Sequence, residues 1–241
     1  MTLPISLTSI SSRLTILPRT LRCLLDQTLK PSAIHVYLSR EPSRITTMDS
    51  GCSADLPEEL QSMFATEPLL HLHWTENLGP HTKLIPFCQE FPNTPVLVVD
   101  DDTLHESTLV ETAFYLWCEH KCCISFRATL FNKDEEYRLW PNAAGKRDVL
   151  VFHKGNGGVV YHTSWFQDPA FNNPEIFKKI AETADDVWFN AWRIKQGISC
   201  YCYVRCLLKY SIPVKSTLFH INESKNDETI RDVWRYLLPS V

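Results

Sequence analysis

A chain of 241 residues that is 44% hydrophobic and 11% aromatic is long enough to bury a large core in one folded unit. Its net charge of −4, with Lys and Arg scattered along the chain, excludes the basic stripe of a nucleic-acid binder. The 9 cysteines are odd in number and follow no disulfide spacing, no basic start leads into an apolar leader, and no run approaches a membrane span, so a cytoplasmic protein with reduced thiols is expected.

Residues 3–7 are apolar and read as a first strand, followed by a Ser/Thr-rich loop over residues 8–13. Leu14, Leu17, Leu21, Leu24 and Leu25 then recur at helical spacing, and Pro18 is acceptable in the first turn, where its missing N–H has no partner to lose. Residues 34–38 form a second strand, and this strand-helix-strand order predicts a parallel pair. A short helix is expected over 57–64, a third strand over 69–74 and a fourth over 95–99. The fourth, Pro95-Val96-Leu97-Val98-Val99, is apolar on both faces, as a central strand must be. Asp100, Asp101 and Asp102 follow at once, so their carboxylates emerge at the strand edge where open α/β sheets bind ligands. A helix over 106–120 carries Leu109, Val110, Ala113 and Trp117 on one side. Strands are expected over 122–131 and 149–153 with a polar segment between them. Asn173-Pro174 is a capped helix start, another helix opens at Asp185-Asp186 and stops at Gly197, and a last one begins near Asn226.

Consecutive aspartates repel one another unless positive charge is close, and Mg²⁺ or Mn²⁺ supplies it while preferring oxygen ligands and substrate phosphates. The plain alternative is a turn that caps the next helix. Gly155-Asn156-Gly157-Gly158 is too rich in glycine for a strand interior and suits either close approach of backbone to a sugar or an ordinary turn.

Several segments, taken in order, resemble one family. They are Thr8 and Arg13 after the first strand, Leu24-Leu25-Asp26-Gln27-Thr28-Leu29-Lys30-Pro31 before the second, Asn77-Leu78-Gly79-Pro80-His81-Thr82-Lys83, Val98-Val99-Asp100-Asp101-Asp102, the glycine segment, and Ala184-Asp185-Asp186-Val187-Trp188. The family is the GT-A glycosyltransferases, particularly the small family-2-like bacterial enzymes and their virus-encoded relatives. The resemblance covers most of the chain. It implies a Rossmann-like α/β fold with a mixed, mostly parallel central sheet flanked by helices, a single domain over 1–241 in which 1–103 binds the nucleotide sugar and 104–241 the acceptor. It further implies inverting, Mn²⁺- or Mg²⁺-dependent transfer of a hexosyl or deoxyhexosyl group from a nucleoside diphosphate, expected to be UDP, to a hydroxyl of a glycan or other acceptor.

By the same resemblance Thr8, Arg13, Lys83, Asp100, Asp101, Gly157 and Gly158 hold the nucleotide sugar. Asp102, with Asp100 and His220, holds the metal in this DxD motif; Asp186, with Asp185, is the catalytic base; and Trp188 stacks on the acceptor. Arg13 and Lys83 also read as solvated surface residues, the aspartate pair as helix caps, and Trp188 with Trp192 as core. A helix N-terminus favours the ionised form of Asp186 and so weakens it as a base, whereas Asp185 beside it acts the other way. The rival enzymatic reading, a sugar nucleotidyltransferase, wants a glycine-rich phosphate loop after the first strand, and residues 8–13 contain no glycine. A sugar-nucleotide- or glycan-binding module without turnover is the remaining alternative.

Overall fold

The computed structural model describes residues 2–42, 50–53, 56–214, 222 and 225–238. β1 (Ile5–Thr8) leads through a 3-10 turn into α1 (Leu17–Leu25), where Pro18 occupies the first turn and Leu17, Leu21 and Leu24 are buried. β2 (Ile34–Ser39), α2 (Glu58–Thr66) and β3 (Leu70–Thr75) follow. A 3-10 segment, Gly79–Lys83, runs into α3 (Ile85–Glu90), and β4 (Pro95–Val98) carries the apolar run. Next come β5 (Thr103–His105), α4 (Leu109–His120), β6 (Cys123–Ser125), β7 (Ala128–Leu130), β8 (Arg147–Asp148), β9 (Val151–His153) and β10 (Val159–His162). The chain continues with α5 (Pro174–Ile180), α6 (Asp185–Lys195), β11 (Cys200–Cys202), β12 (Leu208–Ser211) and α7 (Asn226–Leu237).

Among the described residues an 8-stranded sheet has the order β3-β2-β1-β4-β10-β6-β11-β8. The pairs β3–β2, β2–β1, β1–β4 and β6–β11 are parallel, β10 is antiparallel to both β4 and β6, and β8 is antiparallel to β11. Only β10 and β8 therefore oppose the common direction, which makes the sheet mixed and mostly parallel, as expected. Strand alternation splits the central run between two cores: Leu97 and Val99 join Leu17, Leu60 and Leu109, whereas Val96 and Val98 join Phe87, Trp188, Trp192 and Trp234. Helices thus cover both faces of β4. No described helix is long and apolar enough to cross a membrane.

Two expectations need correction. The single strand over 122–131 is two strands, because the Ser125 hydroxyl donates to the Arg127 carbonyl at 2.7 Å and turns the chain out of the main sheet, where β7 pairs with β9 instead. The helix expected from 106 begins at Leu109, because β5 precedes it and pairs with β12. At α5 the Asn173 side chain accepts from the Glu175 N–H with Pro174 in the first turn, as the sequence anticipated. Gly197, with φ of 67°, lies just past α6 in the left-handed conformation that suits a helix stop.

Candidate active site

The carboxyl ends of β1 and β4, the Gly79–Lys83 turn and the start of α6 converge on a cavity of about 590 Å³, a size that suits a small-molecule ligand. Thr8, Arg13, Lys83, Asp100, Asp101, Asp102, Asp185 and Asp186 all line it, although the sequence separates them widely.

The aspartate triplet divides into three environments. Asp101 is buried and fully engaged: Ser9 donates to its Oδ2 at 2.5 Å and Arg13 to its Oδ1 at 2.8 Å, while Thr20 donates to its carbonyl at 2.6 Å. Asp100 accepts from the Lys83 ammonium at 2.6 Å. Asp102 has Arg13 at 3.2 Å and keeps part of its carboxylate open to the cavity. Burial, then the neighbouring Asp101 and Asp100 charges, push the Asp102 carboxyl up to about 6. Thr8 sits on the wall with its hydroxyl donating to the Tyr37 carbonyl at 2.8 Å.

Lys83 is buried and joins the two sides of the cavity. Its ammonium lies 2.6 Å from Asp100 and 2.9 Å from Asp185 Oδ2, and the Ser6 hydroxyl fixes its carbonyl at 2.6 Å. The Asp185 contact is off the line of a directed hydrogen bond, so it is ionic. Burial opposes a charged lysine, yet Asp100 and Asp185 outweigh it and hold the ammonium well above its ordinary value. Burial likewise opposes ionised Asp100, but Lys83 prevails and keeps that carboxyl below the usual range.

Asp186 has a different setting. Its Oδ2 accepts from the Gly155 N–H at 2.8 Å, and a Cβ on residue 155 would stand 2.7 Å from its Oδ1, so only glycine lets the loop close on the carboxyl without displacing it. Asn190, one turn along α6, donates to the Asp186 carbonyl at 2.8 Å and the His153 carbonyl at 3.0 Å, while buried Arg193 donates to the carbonyls of Val149 and Val151 at 3.0 and 2.6 Å. These bonds fasten α6 to β9 and fix the carboxyl in place. Burial, followed by the charge of Asp185, pushes Asp186 up to about 7, against the pull of Lys83 and the Gly155 N–H.

Three sequence assignments are placed elsewhere. Gly157 and Gly158 do not line the cavity: a Cβ on Gly157 would meet Arg127, and Gly158, with φ of 87°, faces Leu97, Val99 and Leu109 in the core. The glycine segment serves close approach of backbone to protein, chiefly to Asp186, and not to a sugar. Trp188 is fully buried with its indole N–H donating to the Phe171 carbonyl at 3.2 Å, so it belongs to the core and cannot stack on an acceptor. His220 lies outside the described residues. The sequence reading also missed Arg127, Tyr137 and Lys154 on the wall, which carry no motif and reach the cavity from the turn between β6 and β7, the 3-10 turn between β7 and β8, and the turn after β9; Asn156 of the glycine segment lines it as well.

Among the described residues no group of 3 or more His, Cys, Asp or Glu side chains forms a ready-made metal cage. The donor chemistry does fit a Mg²⁺ or Mn²⁺ held by one protein carboxylate, Asp102, since such ions complete their shell with phosphate oxygens and water. Asp100 and Asp101, by contrast, are committed to Lys83, Arg13 and Ser9.

No protein-family model matches the chain, and no curated protein matches its sequence. Its fold is similar to the crystal structure of residues 1–349 of S. aureus TarS, with a TM-score of 0.60 and 16% identity over 97% of this chain and 64% of that one. The same segment of TarS in complex with UDP-GlcNAc matches at TM-score 0.60 and 14% identity, over 90% of this chain and 60% of that one. The complex with UDP gives 0.60 and 14%, over 97% and 64%. The chain thus spans less than two thirds of the length of these solved proteins. At this identity the likeness establishes the fold, the α/β Rossmann-like arrangement with a mixed central sheet.

Proposed function

We propose that the chain is a metal-dependent, inverting glycosyltransferase that moves a hexosyl or deoxyhexosyl group from a nucleoside diphosphate, with UDP as the expected nucleotide, to a hydroxyl of a glycan or other acceptor. The observation that carries this reading is the meeting, in one cavity, of an acidic strand end that suits a cation-bridged diphosphate and a fixed carboxyl, Asp186, poised near 7. Support comes from the shared fold of TarS, which has been solved with UDP and with UDP-GlcNAc.

In this reaction the acceptor oxygen attacks the anomeric carbon from the face opposite the diphosphate. Asp186 takes the hydroxyl proton as that bond forms, and the bond between sugar and phosphate breaks with its electron pair leaving on the diphosphate. A pKa near 7 suits this task, because the base is available at neutral pH and still holds a proton well. Arg13, on the wall between Asp101 and Asp102, presents a fixed cation toward the leaving group. A divalent ion on Asp102 would supply further neutralisation of the departing charge. Lys83, on the wall between two carboxylates, keeps Asp100 ionised and holds Asp185 beside it.

A screen of nucleoside diphosphate sugars for metal-dependent turnover tests the reading. Release of nucleoside diphosphate is expected; release of pyrophosphate would point to a nucleotidyltransferase, and binding without any product to a module that has lost turnover. Asp102→Ala is expected to reduce UDP affinity in Mn²⁺ by at least about tenfold, or ~1.4 kcal/mol, down to its metal-free level. Calorimetry with and without the ion reads this directly, and an unchanged affinity removes Asp102 from the metal site. Gly155→Ala should push the Asp186 carboxyl aside and lower kcat by roughly 100-fold with donor KM little changed. A rise in KM at constant kcat would contradict a positioning role for the glycine.

A further inference from the structure

One stretch of the cavity wall carries charge for which the transfer reaction above has no use. Lys154 lies just after β9 and Arg127 just after β6, and the Lys154 N–H donates to the Arg127 carbonyl at 2.8 Å, so the two residues stand side by side. Gly157 packs on the other residue of the pair: a Cβ there would come within 2.8 Å of the Arg127 Cβ and 2.9 Å of its backbone nitrogen. Both side chains line the cavity together with Tyr137, Asn156 and Asp186, and the Lys154 ammonium lies 5.1 Å from the centre of the Tyr137 ring.

Among the described residues neither cation has a carboxylate within ion-pair distance, whereas Arg13 and Lys83 across the cavity are both paired with aspartates. Burial, then the adjacent Arg127 charge, depresses the Lys154 ammonium below its ordinary value, against the weaker pull of Asp186, which lies beyond ion-pair distance. Lys154 is half-buried beside the exposed Arg127; like charges held together cost energy, and an anion arriving from outside relieves that cost. Arg offers a planar fork that matches phosphate or carboxylate, and Lys a movable point charge beside it.

We propose that Arg127 and Lys154 form an anion subsite for the acceptor, so that the molecule whose hydroxyl reaches Asp186 carries a phosphate or carboxylate group. The assignment rests on the reading of Asp186 as the base. The acceptor is the partner indicated because these cations flank Asp186, while the diphosphate belongs to the side of Arg13 and Asp102.

The test uses the full chain with Mn²⁺ and UDP, titrated with glucose 6-phosphate and methyl glucuronide and, for comparison, neutral methyl glucoside. The charged probes are expected to bind at least about tenfold more tightly at low salt, with the advantage shrinking as salt rises. In the double variant Arg127→Gln/Lys154→Gln the three probes should become equivalent, with UDP affinity unchanged and the unfolding midpoint unchanged or higher. Equal binding of charged and neutral probes by the unmodified chain overturns the proposal, as does a preference that survives in the double variant. Competition of UDP-glucuronate and UDP-glucose against UDP provides the second arm. A preference for UDP-glucuronate that the double variant loses, with no preference among the free sugars, places the anion on the donor and overturns the acceptor assignment. Failure of UDP to bind at all would instead count against the glycosyltransferase reading, and the probe series without UDP still decides the anion subsite.

Discussion

Asp186→Asn is expected to lower kcat by about 10³-fold while leaving UDP affinity intact, because the amide keeps the shape and the Gly155 hydrogen bond but cannot take a proton. On the proposed reaction, the unmodified chain should show an acid limb in its rate with an apparent midpoint near 7, where burial and Asp185 set the Asp186 carboxyl. Rate should be full above that pH and fall as the carboxyl protonates below it. Stability moves the other way. A carboxyl whose folded value is raised from 3.8 to about 7 favours the folded state when protonated, so its ionisation erodes stability progressively as pH climbs from about 4 to about 7. Asp186→Asn should therefore gain little at pH 4 and raise the unfolding midpoint most at pH 7 and above. Thermal melts at several pH values, alongside a pH-rate profile, check both statements, and a variant with normal turnover moves the base to another residue.

Lys83→Met should cost about 3–5 kcal/mol of stability, the scale found when one partner of a buried ion pair is removed. The loss comes less from the missing attraction than from Asp100 and Asp185, left as unpaired carboxyls at 2.6 and 2.9 Å from where the ammonium stood. Adding Asp185→Asn to Lys83→Met should recover part of that loss, which a double-mutant cycle in urea can measure. Strict additivity of the two changes would show that the lysine does not couple the aspartates. The sequence suggested this lysine, after a Gly-Pro turn, as a cation for diphosphate, and it does line the cavity; its burial between two carboxylates is invisible without the fold.

The first half of the sheet was readable for a simple physical reason. Strands such as Ile34–Ser39 and Pro95–Val98 are buried on both faces and stand out as apolar runs, and the acidic triplet marks where the last of them ends. The helix start at Asn173-Pro174 was readable because capping chemistry is local, and the one at Asp185 because acidic residues gather in a first turn. The strands Val159–His162 and Cys200–Cys202 were not, since each is only 4 or 3 residues long and, unlike Pro95–Val98, neither ends in a chemical marker such as the acidic triplet. The candidate site shows the same division. Aspartates at element ends announced themselves, whereas Arg127, Tyr137 and Lys154 depend on turns whose meeting place no local pattern encodes. The glycine segment was recognised as a close approach, but its neighbour proved to be Asp186 and the Arg127 backbone. Trp188 offered two readings from sequence, and packing against Phe171 and Trp192 chose the core.

The antiparallel insertion of β10 between β4 and β6 has a consequence for how the molecule is born. During synthesis from the N-terminus, the strands that flank β4 become available at very different times: β1 precedes it, whereas β10 emerges only after residue 158. Until then Val96–Val98 present bare backbone donors and acceptors along one side and apolar side chains on both faces, so the future middle of the sheet is temporarily a sticky border. The nascent chain must be shielded through that interval, and any fragment ending short of β10 inherits the open seam permanently.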